Sequence, residues 1–594
     1  MNTSDFLMKR LSEWNVTRVY GYPGDGINGI LGAFDRIDGR VQFIQVRHEE
    51  EAAFMACAHA KFTGDVGVCM ATSGPGAIHL LNGLYDAKMD HVPVVAIVGQ
   101  AATMALGGSY QQEVDLQQLF ADVSDYVYTV SNPMAMRHIV DRAFRVAIGY
   151  RGVATIVVPK DIQEKKYSNP PHKHNTLHSS PGLARSFALP DAVDLRAAAE
   201  ILNAGERVAM LIGAGCLNAT DEVVEVANTL GAGIATALLG KAAVPNDLPY
   251  VTGTIGLLGT AASFEMMKEC DTLLMVGTTF PYAEFLPKEG QARGIQIDID
   301  PKNLGLRYPT ELNLVGDAGA TLRELLPYLE KKTDNSWREK LERSKVKWIE
   351  SELARANVSA DPINPQLLFV ELNKRLPEGA IVTGDAGTAT NWYARNVVLR
   401  RGMKGSLSGG LATMGSAIPY AIAAKFAFPD RVAIACTGDG AMQMNGMASL
   451  LTVRKYMHQW RDKRLIFLVL NNSDLNQVSW EMRIMSGDPK WDVSQDLPEF
   501  SYAHFADSIG LLGIAVHSPD EVGDAWDRAL SAERPTVIDA HVSANIAQLP
   551  PHITFEEAHK YFSALIKGDP DETGIIKESV KSVIAGIVPS GDRT

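Results

Sequence analysis

The chain contains two apolar runs that each end in polar residues, Val432-Ala-Ile-Ala-Cys-Thr-Gly-Asp-Gly440 and Leu465-Ile-Phe-Leu-Val-Leu-Asn-Asn472. Short continuous apolar runs of this kind predict strands that are buried in a parallel sheet. Since ligands of open α/β sheets bind beyond the carboxyl ends of the strands, we expect Asp439 and Asn472 to converge at one edge. The glycines beside Asp439 let a ligand approach the backbone and supply N–H groups at the start of a helix.

The residue types at these two strand ends suit a divalent cation. One carboxylate, one amide oxygen and a nearby carbonyl match the ligands of Mg²⁺, which keeps its other positions for diphosphate oxygens. The alternative for Gly-Asp-Gly alone is a turn with a capping aspartate, and the Asn-Asn pair on the next strand makes that alternative weaker. The chain has no Walker-type Gly-Lys-Ser/Thr, so hydrolysis of a nucleoside triphosphate gains no support.

Length and composition describe a large globular protein. The 594 residues, 46% of them hydrophobic, predict about three to four domains and argue against disorder as the main state. A net charge of −13 argues against nucleic acid as the principal partner. The cysteines form no CxxC pair, so neither a disulfide framework nor a structural zinc site is indicated and a reducing cytoplasm is expected. These cysteines are Cys57, Cys69, Cys216, Cys270 and Cys436.

Strand-like runs alternate with helical stretches along most of the chain. This alternation predicts an α/β fold with three doubly wound parallel-sheet domains and a C-terminal tail. We place the domains at residues 1–170, 190–345 and 360–545, and the tail at 546–594. Met1 to Trp14 lacks the apolar core of a signal peptide. The longest apolar runs are too short for a membrane span of about 20 residues.

The tail contains a candidate amphipathic helix. Its apolar face is formed by Ile576, Val580, Val583, Ile584 and Ile587. Docking of this helix on its own protein or on a partner subunit is the favoured interpretation. A helix on a membrane surface is the alternative, although such helices usually carry more basic residues.

With these residues, the chain resembles the thiamine diphosphate enzymes, whose diphosphate signature is Gly-Asp-Gly followed by Asn-Asn. The resemblance covers essentially the whole chain and is strongest to the pyruvate oxidase and quinone-dependent pyruvate dehydrogenase branch, with acetolactate synthase as a relative. It implies a pyrimidine-binding N-terminal domain, a central FAD-type domain and a diphosphate-binding domain. It also implies that Asp439, Asn472 and the carbonyl of Asp474 bind Mg²⁺. Asp439 and Asn472 are 33 positions apart, more than the family pattern, and we expect a longer surface loop at 458–464 to hold the surplus.

A second motif is Arg47-His48-Glu49-Glu50, which follows the predicted strand Phe43 to Val46. From the local sequence, Glu49 could simply cap a helix. In the resembled family, the Glu after the His bonds the aminopyrimidine N1′ and promotes deprotonation of the thiazolium carbon. That chemistry needs a carboxyl group in a largely apolar pocket. The resemblance assigns this role to Glu49 and not to Glu50.

The resemblance also assigns the cofactor-binding positions, and the use of two subunits for each site in this family implies a homodimer or homotetramer. Met414 would force the bent shape of thiamine diphosphate, although by composition alone it is a core methionine. The positions for thiamine diphosphate are Gly24, Asp25, Ser73, Gly76, Ala386, Gly387, Thr388, Ala412, Thr413, Met414, Gly438, Gly440, Ala441, Asn472 and Gln477. The positions for FAD are Gly213, Gly215, Thr254, Gly256, Gly277, Thr278, Phe280, Asp298 and Asp317.

Two departures from the family pattern fall at the substrate. Gln111 and Gln477 stand where the oxidases have bulky apolar residues, which makes the pocket more polar and fits a substrate with extra hydroxyl or carbonyl groups. Gln112 and Glu481 match the family's substrate-side polar residues, which orient a 2-oxo acid carboxylate or move protons. We therefore assign catalytic roles to Glu49 and to these four side chains.

The resemblance implies an enzyme that decarboxylates a 2-oxo acid, with pyruvate first, through an enamine on the cofactor. Oxidation through FAD to a quinone or oxygen is the first interpretation. A non-redox carboligase or C–C lyase, similar to acetolactate synthase and with FAD structural or absent, is the alternative. A non-catalytic scaffold is disfavoured because Glu49, Asp439 and Asn472 are intact. We expect a cytoplasmic protein, with peripheral contact at the inner face of the membrane if the tail helix binds lipid.

Overall fold

The computed structural model describes residues 1–37, 39–184 and 186–546, together with positions 564, 567, 569–572, 574, 575 and 578 of the tail. The described chain forms three six-stranded sheets, and all strand pairs within them are parallel. Helices connect the strands. The predicted α/β class with three parallel sheets is confirmed.

The first sheet has the strand order β2-β1-β3-β4-β6-β5. Its strands are β1 (Arg18–Gly21), β2 (Gln42–Gln45), β3 (Gly67–Ala71), β4 (Val94–Gln100), β5 (Tyr126–Thr129) and β6 (Val153–Pro159). The helices of this region are α1 (Thr3–Glu13), α2 (Asn28–Arg36), α3 (Glu49–Thr63), α4 (Pro75–His79), α5 (Leu81–Met89), α6 (Leu116–Phe120), α7 (Met136–Tyr150) and α8 (Lys160–Glu164).

The central sheet has the order β12-β11-β10-β7-β8-β9, and the order in which strands are added reverses between β7 and β10. Its strands are β7 (Val208–Ile212), β8 (Gly233–Thr236), β9 (Val251–Thr254), β10 (Thr272–Val276), β11 (Arg293–Asp298) and β12 (Leu312–Val315). Its helices are α9 (Ala192–Ala204), α10 (Thr220–Thr229), α11 (Ala261–Glu269), α12 (Ala318–Leu325) and α13 (Ser336–Ala356). This is the strand order of dinucleotide-binding folds.

The third sheet has the order β14-β13-β15-β16-β18-β17, which repeats the topology of the first sheet. Its strands are β13 (Ile381–Gly384), β14 (Lys404–Ser406), β15 (Ala433–Gly438), β16 (Leu465–Asn471), β17 (Leu512–Val516) and β18 (Thr536–His541). Its helices are α14 (Pro365–Arg375), α15 (Thr388–Asn396), α16 (Ala417–Ala427), α17 (Asp439–Ala441), α18 (Met447–Tyr456), α19 (Asn476–Glu481), α20 (Asp492–Gln495), α21 (Tyr502–Ser508) and α22 (Val522–Ser531).

The central strands are mainly apolar, as expected where helices cover both faces of a sheet. Every residue of β4 and of β16 is buried. In the first and third sheets, the order in which strands are added reverses between the second and third strands of the sheet, so a crevice opens at the carboxyl ends of β1 and β3 and of β13 and β15.

The first and third sheets share one hydrophobic core, in which helix α3 packs along helix α16. A buried ammonium group lies at this contact. Lys61 Nζ donates to Asp90 Oδ2 at 2.6 Å, to the Tyr420 hydroxyl at 2.7 Å and to the Leu407 carbonyl at 2.8 Å. The carboxylate of Asp90 also accepts from the backbone N–H groups of residues 409–410. The end of α3 and the loop before α16 are therefore held together.

Two helical turns are wound more widely than an α-helix. The π-helical turns Met442–Gly446 and Met482–Ser486 directly follow helices α17 and α19. Such turns contain one residue more than a regular helical turn.

The predicted tail helix, with Ile576, Val580, Val583, Ile584 and Ile587, lies outside the described residues. Several neighbouring positions of the tail are described and contact the third domain. Among the described residues, no helix combines the length and the apolarity that crossing a bilayer requires.

Glu51 is a buried carboxyl group in the first turns of α3. Its side chain accepts one long hydrogen bond, 3.3 Å from the Arg47 backbone N–H to Oε2, and burial raises the pKa of Glu51 to about 7. A raised carboxyl pKa means that the folded state binds this proton more tightly than the unfolded state, so the stability that the proton provides is lost as the pH rises through 7.

We therefore predict that Glu51→Gln flattens the pH dependence of stability. The wild-type protein should lose up to roughly 3 kcal/mol relative to the variant between pH 4 and pH 8. The melting temperatures of both proteins across this range check the prediction. Glu50→Gln, one position away, is the control and should follow the wild type; parallel curves for Glu51→Gln and the wild type would contradict the assignment.

Candidate functional site

Two loops meet at the crevice of the first sheet. The loop after β1 contains Gly24 and Gly26, and the loop after β3 contains Thr72 and Ser73. The Gly26 backbone N–H donates to Thr72 Oγ1 at 3.0 Å, and a Cβ at Gly24 would stand 2.5 Å from the Thr72 side chain. Glycine is thus required at position 24 for the loops to approach. Asp25 instead lies on the surface, with Oδ2 3.5 Å from Lys160 Nζ.

Glu49 lies beside these loops, at the first position of helix α3. The side chain that caps this helix belongs to His48, whose Nδ1 accepts from the Glu50 N–H, so Glu49 is not the cap. The Glu49 carboxyl is buried, and its Oε2 lies 3.0 Å from His79 Nδ1. A Cβ at Gly76 would stand 3.0 Å from Glu49 Oε1, so only glycine leaves that oxygen uncovered.

The side chain of Asp439 is enclosed at the carboxyl end of β15. Its Oδ2 accepts from the N–H groups of Asn472 at 2.8 Å and Ser473 at 2.6 Å, and its Oδ1 accepts from Gly440 at 2.9 Å. Burial raises the pKa of Asp439 to about 6, although these N–H donors oppose the shift. A bound cation would favour the ionised carboxylate, so the group fits a metal ligand.

The carboxyl ends of β15 and β16 lie side by side, as the sequence predicts, because the two strands pair in register up to Gly438 and Leu470. Asn472 Oδ1 accepts from the Asp474 N–H at 3.1 Å. The Asp474 carboxylate accepts hydrogen bonds from Asn476 Nδ2 at 2.9 Å and from the Ser479 hydroxyl at 2.8 Å. Asp474 can therefore offer a metal its backbone carbonyl, which accepts one hydrogen bond from the Asn476 N–H.

The crevice between β13 and β15 is lined by open backbone. Apart from each glycine and its chain neighbours, no heavy atom of the described residues lies within 4 Å of the Cβ position at Gly387 or at Gly438, so both glycines present a cradle that side chains would fill. Ala386 and Gly387 lead into the N-terminus of α15, which begins at Thr388. Together with Ala441 in α17, this edge offers backbone N–H groups to a diphosphate, whereas the predicted position Gly440 already donates its N–H to Asp439 Oδ1.

The loop before α16 carries Met414 towards this cradle. Ala412 has a positive φ of 53°, an uncommon conformation for a residue with a Cβ. Thr413 donates its N–H to Ser408 Oγ at 3.1 Å, and Met414 Sδ lies 3.8 Å from the Cβ position of Gly440. The buried Asp385 carboxylate accepts from the N–H of Gly415 at 2.7 Å and thereby holds this loop.

Three polar side chains form a chain of hydrogen bonds between α15 and α19. Buried Asn391 donates through Nδ2 to Gln477 Oε1 at 2.9 Å, and Gln477 Nε2 donates to Glu481 Oε1 at 3.0 Å. The amide of Gln477 thus has a fixed orientation. Glu481 is exposed at the end of α19.

Gln111 and Gln112 lie in the loop between β4 and α6, apart from the hydrogen-bonded chain of Gln477. Gln112 has a positive φ of 61°, and its Oε1 accepts from Ser73 Oγ at 3.1 Å, which ties it to the loop after β3. Gln111 is exposed. The structure thus joins Gln112 to the Ser73 loop.

The crevice of the central sheet is packed backbone against backbone. Gly213 and Gly215 follow β7, and Gly277 follows β10. The Gly215 N–H donates to the Gly277 carbonyl at 3.0 Å, and a Cβ at Gly213 would stand 2.3 Å from that oxygen. Only glycines allow this approach, which leaves backbone rather than side chains at the edge where dinucleotides bind.

Other predicted FAD positions surround this crevice or serve the fold. Both hydrogen bonds that described residues donate to the Asp298 carboxyl, from the Asp300 N–H and Asn303 Nδ2, end on Oδ1. Burial raises the pKa of Asp298 above its ordinary value. The Thr254 hydroxyl donates to the Ala394 carbonyl at 3.1 Å, and Asp317 caps α12.

The remaining FAD positions lie together. Thr278 Oγ1 accepts from the Phe280 N–H at 3.2 Å, and the Phe280 ring is 3.0 Å from the Cβ position of Gly256. The glycine crevice of the central sheet and Asp298 Oδ2 fit a dinucleotide. The side chains of Thr254 and Asp317 are instead hydrogen-bonded within the protein.

Sequence reasoning misses three side chains of the site. His79 contacts Glu49, Asn391 orients Gln477, and Asp385 holds the loop of Met414. Asp385 follows a strand directly, which is a signal of the same kind as that of Asp439. No local pattern marks His79 or Asn391.

Three family models match the chain in order. Residues 1–119 match the N-terminal TPP binding domain of thiamine pyrophosphate enzymes, residues 195–325 match their central domain, and residues 385–540 match their C-terminal TPP binding domain.

Individual relatives match over nearly the full length. YdaP of Bacillus subtilis, whose assignment as a thiamine pyrophosphate-containing protein is itself an inference, is 35% identical over 94% of each chain. Pyruvate oxidase of Lactiplantibacillus plantarum is 29% identical over 91% of this chain and 88% of its own. The large subunit of acetolactate synthase isozyme 2 of Escherichia coli is 30% identical over 91% of this chain and 95% of its own.

We predict that Asp439→Asn abolishes the stabilisation of the protein by Mg²⁺ with thiamine diphosphate. At a hundredfold excess over its dissociation constant, a ligand stabilises a protein by about 2.7 kcal/mol, and the neutral amide removes the charge that binds the cation. The shift in melting temperature on adding both ligands is the measurement. Asp492→Asn, at an exposed carboxylate near the same loop, should keep the shift. An equal shift in Asp439→Asn and the wild type would contradict the metal assignment.

Proposed function

Because the chain belongs to the thiamine pyrophosphate enzyme family, we propose that it decarboxylates a 2-oxo acid, pyruvate first, and passes the electrons to FAD and then to a quinone or oxygen. The 2-oxo acid and water give CO₂, a carboxylic acid one carbon shorter, two protons and two electrons. The observation that carries the oxidative part is the glycine crevice of the central sheet, where Gly213, Gly215 and Gly277 meet beside Asp298.

Bound thiamine diphosphate supplies a nucleophilic carbon and an electron sink for the decarboxylation. Among the residues of the chain, Glu49 acts first. Its Oε1, the oxygen that Gly76 leaves uncovered, would share a proton with the aminopyrimidine of the cofactor. His79 remains on the other oxygen of the carboxyl and orients it. Burial keeps water from competing for the proton.

The third domain would hold the diphosphate end of the cofactor. Mg²⁺ would be bound by Asp439, the amide oxygen of Asn472 and the carbonyl of Asp474. The N–H groups around Gly387 and Gly438 would donate hydrogen bonds to the diphosphate oxygens. The loop of Met414, held by Asp385, would support the cofactor between its pyrimidine end and its diphosphate end.

The central domain would hold FAD. The backbone at Gly213 and Gly277 would approach the pyrophosphate, and Asp298 Oδ2 would accept a hydrogen bond from a ribose hydroxyl. The 29% identity to a pyruvate oxidase over most of both chains supports this choice.

A second candidate function is a non-redox carboligation or C–C cleavage. The hydrogen-bonded chain of Asn391, Gln477 and Glu481 favours it, because oriented amide and carboxylate groups suit a second carbonyl substrate or a hydroxylated one. The 30% identity to an acetolactate synthase subunit supports the same alternative.

An anaerobic absorption spectrum distinguishes the two candidates. We expect the purified protein, with Mg²⁺ and thiamine diphosphate, to show flavin bands at roughly 370 and 450 nm that bleach when pyruvate is added, because electrons reach the FAD. Bands that persist while pyruvate is consumed would refute the oxidative function and favour carboligation. The absence of flavin bands would remove FAD from the proposal.

Matched variants connect this result to the site. Glu49→Gln should retain the flavin bands but bleach about 10²-fold or more slowly, because the carboxyl that shares the proton is lost. Glu50→Gln should bleach at a rate close to that of the wild type. Equal rates in Glu49→Gln and Glu50→Gln would contradict the role of Glu49.

We also propose that two chains complete each site, with Glu49 from one subunit and Asp439 from the other. Glu49→Gln and Asp439→Asn are each expected to be inactive in steady-state turnover. After subunit exchange, mixing the two should restore partial activity, because each hybrid dimer contains one site with neither substitution. No recovery, in a mixture shown by mass spectrometry to contain hybrids, would argue for sites within a single chain.

A further inference from the structure

Arg483 is one of the largest side chains that are fully buried in the described protein, and it lies in the π-helical turn directly after α19. Its Nε and Nη2 donate to the two oxygens of Asp569 at 2.8 and 2.9 Å. Nη2 also donates to Asp571 Oδ2 at 2.9 Å. A guanidinium that is taken out of water requires such bidentate partners. Both partners lie in positions 567 and 569–572 of the tail, which we call the C-terminal segment and which are far along the chain from Arg483.

The same two aspartates also contact Lys490, Asp569 at its backbone and Asp571 at its ammonium group. The Lys490 backbone N–H donates to Asp569 Oδ2 at 2.9 Å, and Lys490 Nζ lies 3.8 Å from Asp571 Oδ2. Lys490 Nζ is also 2.7 Å from Asp496 Oδ1 and 3.4 Å from Asp474 Oδ1. The C-terminal segment is therefore joined through Lys490 to the loop whose carbonyl is the candidate metal ligand.

The guanidinium of Arg483 has its carboxylate partners only when Asp569 and Asp571 are in place. Burial would raise the pKa of Asp569, but the hydrogen bonds from Arg483 and from the Lys490 N–H hold it below its ordinary value. The Asp569 carboxylate therefore remains ionised at neutral pH. Without Asp569, the buried guanidinium would lose its bidentate partner, and the turn that carries it would have to open towards water.

The position of this turn bears on the candidate site. Arg483 is two residues after Glu481, and its guanidinium also lies over the ring of Trp480, 5.1 Å from the centroid. Gln477 is on the same short helix, one turn earlier. A six-residue helix has little stability of its own, so its place depends on the contacts at its end.

We propose that Asp569 and Asp571 are positioning residues: by holding Arg483 and Lys490 they set the placement of Gln477 and Glu481 and of the metal loop at Asp474. The C-terminal segment is then part of the working site rather than an appendage. This inference rests on the proposed function only for its effect on turnover, since the placement itself can be measured without substrate.

The first test is hydrogen–deuterium exchange of the full-length protein. In Asp569→Asn, amides of residues 474–496 should exchange about tenfold faster than in the wild type, because the turn opens more often. The matched control is Asp488→Asn, which breaks the exposed ion pair between Lys567 and Asp488, a second contact between the same two segments. The control should exchange like the wild type. Equal exchange in Asp569→Asn and Asp488→Asn would overturn the proposal.

The second test is a double-mutant cycle in kcat/KM. Asp569→Asn should lower kcat/KM by roughly 10²-fold, the effect of misplacing a reacting group by about 1 Å. Adding Glu481→Gln should then lower it little further, since both changes remove the same placed carboxylate. Multiplying losses would overturn a role that acts through Glu481. If Asp569→Asn yields no folded protein, Asp571→Asn replaces it in both tests, because that carboxylate is 31% exposed and its loss leaves Asp569 on the guanidinium.

A wild-type protein without activity on 2-oxo acids would count against the proposed function and would leave the exchange test to decide the positioning role.

Discussion

The packing of helix α3 along helix α16, with the buried ammonium of Lys61 at this contact, is the interaction on which the arrangement of the two outer domains depends. Burial would lower the pKa of Lys61, but the neighbouring Asp86 and Asp90 keep it above its ordinary value, so the group stays charged. One end of helix α3 is thereby tied to Asp90 and to the loop that leads to Met414. Glu49 stands at the other end of the same helix. Within one chain, the distance between Glu49 and the loop of Met414 therefore rests on this helix, on the shared hydrophobic core and on an ion pair that salt screens little because it is buried.

Much of the fold follows from the sequence, because strands buried on both faces consist of continuous apolar residues. The two apolar runs at 432–440 and 465–472 contain the strands β15 and β16, as their sequence predicts. The edge strands Tyr126–Thr129 and Lys404–Ser406 are short and less apolar, and no pattern marks them. At the site, Asp439 and Asn472 could be predicted because each ends a strand. His79 and Asn391 could not, since their importance lies in contacts with segments that are distant in sequence.

The three domains contribute different physical means of binding. The outer sheets, which share one topology, present carboxyl groups at their crevices: Glu49 in the first and Asp439 in the third, each buried and held by its neighbours. The central sheet presents backbone, because its glycines at 213, 215 and 277 exclude side chains from the crevice. Proton sharing and cation binding need a placed charge, whereas a long dinucleotide needs a surface without protrusions. This division of tasks matches the chemistry proposed for each domain.

The two π-helical turns have a consequence for how such a site diverges. Each holds one residue more than a regular turn and lies between a motif residue, Asp439 or Glu481, and a helix or turn anchored in the core. In a helix of 3.6 residues per turn, deleting one residue rotates everything on one side by about 100° relative to the other. A π-helical turn already contains one residue more than an α-helical turn, so deleting one residue there restores a regular turn and leaves the flanking segments in phase. At these two turns the chain length can therefore change by one residue without rotating Asp439 or Glu481 relative to the segments that follow.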